Sequence, residues 1–240
     1  MLKIMIGYDP NETVAYHVLC QSIMEHASGP VSFIPINKRN IPEFDRGKED
    51  GSTEFSFSRF LTPWLANFEG QAVFMDCDMI LRDDIYKILD CVDYSHDVFV
   101  VKHDYEPSTD IKFLGQKQHK YPKKNWSSVM VFNCFYPACE SLEPRYVNSA
   151  TGAQLHQFKW CAEDRIGELP KEWNWLAGEY DYNPEAMLVH FTLGTPCFKG
   201  YEDQDYADEW FHYLYKTNMA TNPSFGLIES SDVEAMNADI

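Results

Sequence analysis

The sequence predicts an α/β protein, a single domain built on a mostly parallel sheet flanked by helices. Strand-like and helix-like stretches alternate over the first hundred residues, the pattern of right-handed strand–helix–strand units. The run "QAVFMD" (71–76) is apolar at successive positions, as expected of a strand buried on both faces inside a parallel sheet. Hydrophobic residues at 45% and aromatics at 15% provide for a sizeable core and exclude a disordered chain.

The elements follow in order. "KIMIGY" (3–8) reads as a buried strand. In "DPNE" (9–12), Asp9 is placed to cap a helix that Pro10 begins. Ala15, Val18, Leu19 and Ile23 then recur at helical spacing. "VSFIPI" (31–36) is a second strand, and the polar, Gly/Pro-bearing stretch 37–54 a loop. "FSFSRFLTPWLANF" (55–68) predicts a short helix interrupted near Pro63. After the strand at 71–76, "DDIYKILD" (83–90) predicts a turn or two of helix. "HDVFVV" and "SVMVFN" (128–133) are further strands, "SATGAQLHQF" (149–158) a helix, and "EAMLVHF" (185–191) a strand. The aromatic run "WFHYLY" (210–215) is assigned to core packing rather than to a sugar platform. The catalytic unit is taken as 1–215, with 216–240 a polar C-terminal tail.

Twenty basic residues against 37 acidic give a net charge of −17, which argues against a nucleic-acid binder but leaves room for a local nucleotide site. Five lysines and no acid fall between 112 and 124, a solvated loop or a flap over an anionic ligand. No apolar stretch approaches the about 20 residues of a membrane span. The N-terminus has no cleavage-type motif, and the 7 cysteines include no Cys-x-x-Cys pair. Free thiols in a cytoplasmic protein are the simplest expectation.

The chemistry concentrates in "VFMDCDMILRDD" (73–84). An apolar strand stops at Asp76 and Asp78, one residue apart. Side chains two apart on an extended segment point the same way, so both carboxylates face one side and Cys77 the other. They lie at the C-terminal end of a central strand, where open parallel sheets bind ligands. Two converging carboxylates repel unless a cation or a shared proton relieves them, and a divalent metal with oxygen ligands does so. The alternative has one Asp capping the next helix and the other in solvent, although Asp83 and Asp84 already offer caps there.

An apolar strand ending in Asp-x-Asp resembles the signature of type A nucleotide-sugar glycosyltransferases (the nucleotide-diphospho-sugar transferase fold). Other segments agree in order: "IMIGYDPNETVAYHVLCQSI", "FSFSRFLTPWL", "VMVFNC", "CAEDRI…LPKEWNW" and "LVHFTLGTPCFKGY". Together they resemble glycosyltransferase family 8 or a close relative over roughly residues 1 to 200. That resemblance implies a metal held by Asp76, Asp78 and His190, and a donor diphosphate held by the metal. Two carboxylates with an imidazole lean toward Mn²⁺, with Mg²⁺ the alternative. Taken alone, His190 at a strand end reads equally as a hydrogen-bonded core residue.

The resemblance further implies Tyr8 against a uracil face and Asp9 near its polar edge, the latter alongside its capping role. It gives Arg59 to the donor sugar or diphosphate, Lys199 to the departing diphosphate, and Asn133 to a sugar hydroxyl, although a strand-end Asn also suits a turn. Glu163 and Asp164 stand for the catalytic acidic motif, Glu163 bordering the anomeric carbon and Asp164 holding sugar hydroxyls. Ala162 replaces the motif's first Asp, and Gly194 and Lys199 follow His190 at longer spacing than in that family.

The function expected is metal-dependent transfer of a sugar from a UDP-sugar to an acceptor hydroxyl, with retention of configuration. Two rivals are a haloacid-dehalogenase-type phosphatase, with Asp76 as nucleophile and Asp78 as acid, and a non-catalytic nucleotide-sugar-binding protein. The phosphatase box normally ends the first strand, and here two strands precede it.

Overall fold

The computed structural model describes residues 1–47, 51, 53–105 and 122–218. Residues 106–121, which hold most of the lysine-rich stretch, and 219–240, which hold most of the expected tail, lie outside the described residues.

The first strand–helix–strand unit is β1 (Leu2–Gly7), α1 (Thr13–His26) and β2 (Val31–Ile36). The 55–68 segment forms a 3-10 turn, Ser58–Leu61, running directly into α2 (Thr62–Leu65). Pro63 sits in the first turn of α2, where its missing N–H costs nothing, so it starts a helix rather than interrupting one. Next come β3 (Gln71–Met75) and β4 (Met79–Leu81). The expected helix at 83–90 is a 3-10 helix, Ile85–Cys91, capped by Asp84, which accepts from the Tyr86 amide. Asp84 and Asp83 thus do the local capping, and the Asp76–Asp78 pair is not needed for it.

After β5 (Val98–Val100) and β6 (Val129–Asn133) come three short helices: α3 (Pro137–Glu140), α4 (Pro144–Ser149) and α5 (Gly152–His156). The last is shorter than the expected 149–158 because a reciprocal box between Thr151 and Gln154 fixes its start. The chain ends with β7 (Ile166–Glu168), β8 (Trp175–Leu176), β9 (Leu188–His190) and α6 (Ala207–Asn218). α6 continues past residue 215, where the sequence suggested the catalytic unit would end.

Six strands form the main sheet in the order β2-β1-β3-β6-β5-β7. The β1–β2, β1–β3 and β5–β7 pairs are parallel. β6 pairs antiparallel with both β3 and β5, so it alone is inverted. A small second sheet, β4-β9-β8, stands beside the C-terminal end of β3. Ile4, Met5, Ile6, Val73, Phe74 and Met75 are fully buried, and this continuous burial is what the two-sided apolar pattern of β1 and β3 reported. A separate cluster packs α6 against the small sheet through Trp210, Tyr213, Ile80 and Val189. Trp210 and Tyr213 therefore serve as core, as expected, while Phe211 and Tyr215 face outward.

Candidate active site

Because β1 and β3 run parallel in register (Ile6 opposite Met75), the residues that follow them emerge at one edge of the sheet. Tyr8 and Asp9 follow β1; Asp76, Cys77 and Asp78 follow β3. Cys77 is fully buried and the two aspartates are partly exposed, so the two-residue alternation holds. Burial, with Glu12, Asp78 and Asp76 nearby, holds the Cys77 thiol well above its ordinary range, so it stays a neutral spacer.

β9 brings His190 to this edge by pairing with β4, Met79 opposite His190. Ligand atoms of Asp76, Asp78 and His190 lie within 4.8 Å of one another. The Phe191 amide also donates to the Asp78 carbonyl, 2.9 Å, tying β9 to the pair.

The orientation of His190 can be derived. Its Nδ1 meets the Asn174 Oδ1 at 3.0 Å. The Asn174 Nδ2 donates to the Asn125 carbonyl (3.3 Å) and to the Ser128 Oγ (2.8 Å), whose own hydroxyl is spent on the Asn125 carbonyl (2.6 Å). This network fixes the amide with its oxygen toward His190, so Nδ1–H points at Asn174 and Nε2 is turned to the aspartate pair. That Nε2 lies 3.2 Å from the Asp78 Oδ1. A divalent cation can be shared between a carboxylate oxygen and an imidazole nitrogen set this close. An imidazole locked by a hydrogen bond behind it, together with two carboxylates, fits a divalent metal.

Arg59 is buried beside Asp76, Nη1 to Oδ1 2.8 Å, and the same nitrogen donates to the Ser127 carbonyl at 2.9 Å. Its guanidinium lies over Phe55 and Phe74, 5.2 and 5.1 Å from the ring centroids. A Cβ on Gly7 would come within 2.3 Å of the Phe55 ring, so glycine there leaves room for this platform. Arg59 orients Asp76 and offsets one of the two negative charges.

Asp9 accepts from the Asn11 amide and side chain, both 2.9 Å, and from the Glu54 amide, 3.0 Å. The capping role is thus present, at the edge where a nucleotide role was expected as well. The Tyr8 hydroxyl meets the Thr13 Oγ1 at 3.3 Å, and its ring stands edge-on to Tyr16.

Four expected site residues are not brought to this cluster. β6 is antiparallel, so its last residue, Asn133, pairs with Gln71 at the start of β3, the opposite end of the sheet. There Asn133 is buried, its Nδ2 donating to the Asp93 and His96 carbonyls at 2.7 Å and its Oδ1 accepting from Gln71 at 3.0 Å. Its amide is thus bonded within the fold. Glu163 and Asp164 sit in the 3-10 turn before β7, whose first residue, Ile166, pairs with Val98 at the start of β5. Glu163 is largely exposed, with Lys123 at 2.6 Å; that bond lowers its pKa. Lys199 is exposed near Glu202 and makes no contact with the triad.

The inversion of β6 puts its beginning at the active edge instead, where Asn125 and Ser128 brace Asn174. Asn174 stands in the "WNW" run already singled out in the sequence, but nothing in one sequence tells which side chain holds His190. His103, two residues beyond Val101 at the same edge, carried no sequence signal.

No family model matches the chain. Protein CDI of Arabidopsis thaliana is 40% identical over 226 residues, which are 90% of this chain and 87% of that protein. The chain belongs to the family of Protein CDI. Among solved structures, this CDI-family chain is similar to the glycosyltransferase GlyE of Streptococcus pneumoniae TIGR4 (TM-score 0.60, 13% identity, 89% of this chain and 61% of that one). It is also similar to WbbM, a bifunctional glycosyltransferase (0.57, 16%, 98% and 51%), and to the galactosyltransferase LgtC in complex with donor and acceptor sugar analogues (0.56, 10%, 96% and 98%). The chain spans about half the length of WbbM and about three-fifths of GlyE. The fold of this CDI-family member is that of type A nucleotide-sugar transferases. No helix among the described residues is long and apolar enough to cross a membrane, and all seven cysteines are free.

Proposed function

We propose that the chain is a cytoplasmic, metal-dependent glycosyltransferase that moves a sugar from a UDP-sugar to an acceptor hydroxyl. The observation that carries the reading is the convergence of Asp76, Asp78 and His190, with Asp78 Oδ1 and His190 Nε2 3.2 Å apart and Asn174 locking the imidazole from behind. Asp76, Asp78 and His190 would hold the divalent ion, Mn²⁺ before Mg²⁺ because of the imidazole. When bound, that ion supplies Lewis-acid stabilisation of charge on the departing diphosphate. Arg59 keeps the Asp76 carboxylate turned to the ligand, and Asn174 keeps His190 in the tautomer that offers Nε2. Tyr8 and Asp9, at the β1 side of the edge, would meet the nucleoside. Retention of configuration rests on the family 8 resemblance. The phosphatase reading is disfavoured because the Asp pair follows β3, not the first strand.

The test is calorimetric titration of UDP-sugars, UDP and UMP with and without Mn²⁺. Mn²⁺-dependent binding of UDP much tighter than UMP, with release of UDP from one UDP-sugar, is expected. Equal binding of UMP and UDP would count against a metal-bridged diphosphate. Phosphate release from a phosphomonoester would favour the phosphatase, and binding without turnover a non-catalytic protein.

A further inference from the structure

His103 is an unused polar group beside the candidate metal centre. It sits at the C-terminal end of β5 and is 8% exposed. Its carbonyl accepts from the Trp126 Nε1, 3.0 Å, which fixes the backbone. Its ring packs edge-on to Tyr105 and against Tyr180, and its Nδ1 meets the Tyr180 hydroxyl at 2.9 Å. The Lys171 ammonium lies 3.4 Å over the Tyr180 ring and holds it from the other side. The other nitrogen, Nε2, is buried and has no hydrogen-bond partner among the described residues. Burial, then the nearby His190 and Lys171, push the His103 imidazole down to about 3. Nε2 is not among the clustered ligand atoms of Asp76, Asp78 and His190, so a direct metal bond is not its role.

A buried imidazole nitrogen without a partner is costly to keep, and beside a candidate metal centre a ligand that completes it is the natural explanation. The chemistry of that ligand is narrowed by the ring. If the Tyr180 hydroxyl donates to Nδ1, Nε2–H is a donor; if it accepts, Nε2 is an acceptor. A hydroxyl, which both donates and accepts, satisfies either tautomer. A neutral ring gives no charge-assisted bond to phosphate. The nucleoside side of the edge is occupied by the loop after β1, whereas His103 stands on the β5 side. We propose that His103 Nε2 hydrogen-bonds a sugar hydroxyl next to the metal centre, making His103 a specificity-determining residue whose ring is set by Tyr180. The inference rests on the glycosyltransferase reading, and the hydroxyl belongs to the donor's sugar or to the acceptor.

The experiment compares the parent with His103→Phe, which keeps the ring and removes Nε2, and with His103→Gln, which restores an amide at similar reach. UDP and UDP-glucose are titrated by calorimetry in Mn²⁺. UDP affinity should be the same in all three, which also reports an intact fold. If the hydroxyl is the donor's, UDP-glucose affinity falls about tenfold in His103→Phe and recovers in His103→Gln. If it is the acceptor's, UDP-glucose affinity holds and the KM for a glycoside acceptor rises about tenfold instead. Unchanged UDP-glucose affinity together with unchanged acceptor KM in His103→Phe overturns the assignment while leaving the glycosyltransferase reading intact. Absence of Mn²⁺-dependent UDP binding in the parent overturns both.

Discussion

The two ends of the main sheet treat polar side chains in opposite ways. At the end where β3 begins, Asn133 has its amide filled by two carbonyls and Gln71. Asp97 is gripped there by Arg165, whose guanidinium also reaches the Ser95 carbonyl. At the end where β3 finishes, Asp76, Asp78 and His190 bring their ligand atoms within 4.8 Å of one another, and His103 keeps a buried nitrogen with no partner among the described residues. A polar group closed off by its own chain holds the fold together. Polar groups gathered so closely at the ligand edge are what a bound ion or substrate would complete.

That contrast breaks first, and hardest, at the metal triad. Asp78→Ala and His190→Ala should each lower Mn²⁺-dependent UDP affinity by more than about 100-fold, beyond the range for supporting residues. In the metal-free protein, thermal unfolding of Asp78→Ala should show little loss of Tm, as expected of a group kept for a ligand; a large drop would place Asp78 with the structural groups. One shell out, Asn174→Leu should weaken Mn²⁺ binding about 10–100-fold. Its counterpart Asn133→Leu should leave Mn²⁺ and UDP titrations unchanged and cost about 1–3 kcal/mol in a urea melt, having orphaned the Asp93 and His96 carbonyls.

A smaller effect comes from His156, which packs against Phe57 and Phe60 with its Nδ1 on the Ser127 Oγ. Burial, then the charges of Arg59 and Arg46, push its pKa down to about 3 from 6.5, against a weaker opposing bond at Ser56. The unfolded chain therefore takes up this proton at higher pH than the folded one. The stability is fully present above about pH 6.5 and is lost as pH falls toward about 3. Tm followed from pH 7.5 to 5 should decline less steeply in His156→Phe than in the parent; parallel slopes would mean that the ring is already charged when folded. The smallest effects belong to Glu163→Gln and Asp164→Asn. Steady-state kcat/KM in both should stay within about twofold of the parent, as expected for exposed groups whose pairings are worth little. A tenfold fall would return the acidic motif to the site.

Much of the site was legible in one dimension. The parity of Asp76, Cys77 and Asp78 follows from extended geometry alone, and the fold keeps it, with Cys77 inside. His190 needed the family resemblance to be singled out, and β9 delivers it because its pairing with β4 is short and in register. What misled was "SVMVFN". An apolar strand reads the same in either direction, so its sequence does not say which end reaches the ligand edge. Taking it as one more forward strand put Asn133 in the site and left Asn125 and Ser128 out. Glu163 and Asp164 pose a related question, since where a motif before a strand ends up depends on how that strand pairs, which one sequence does not say.

The sequence by itself determined the α/β alternation, the central strand, and the acidic pair and its facing, because each depends on neighbours a few residues apart. Only the tertiary structure decided the inversion of β6, the second sheet that carries His190, and the chain Ser128–Asn174–His190 that sets its tautomer. It alone decided that Arg59 serves Asp76 and that His103 keeps a free nitrogen. Those depend on which strands pair and in which direction. That choice is made by long-range burial, between residues such as Ser128 and Asn174 whose separation along the chain carries no local signal.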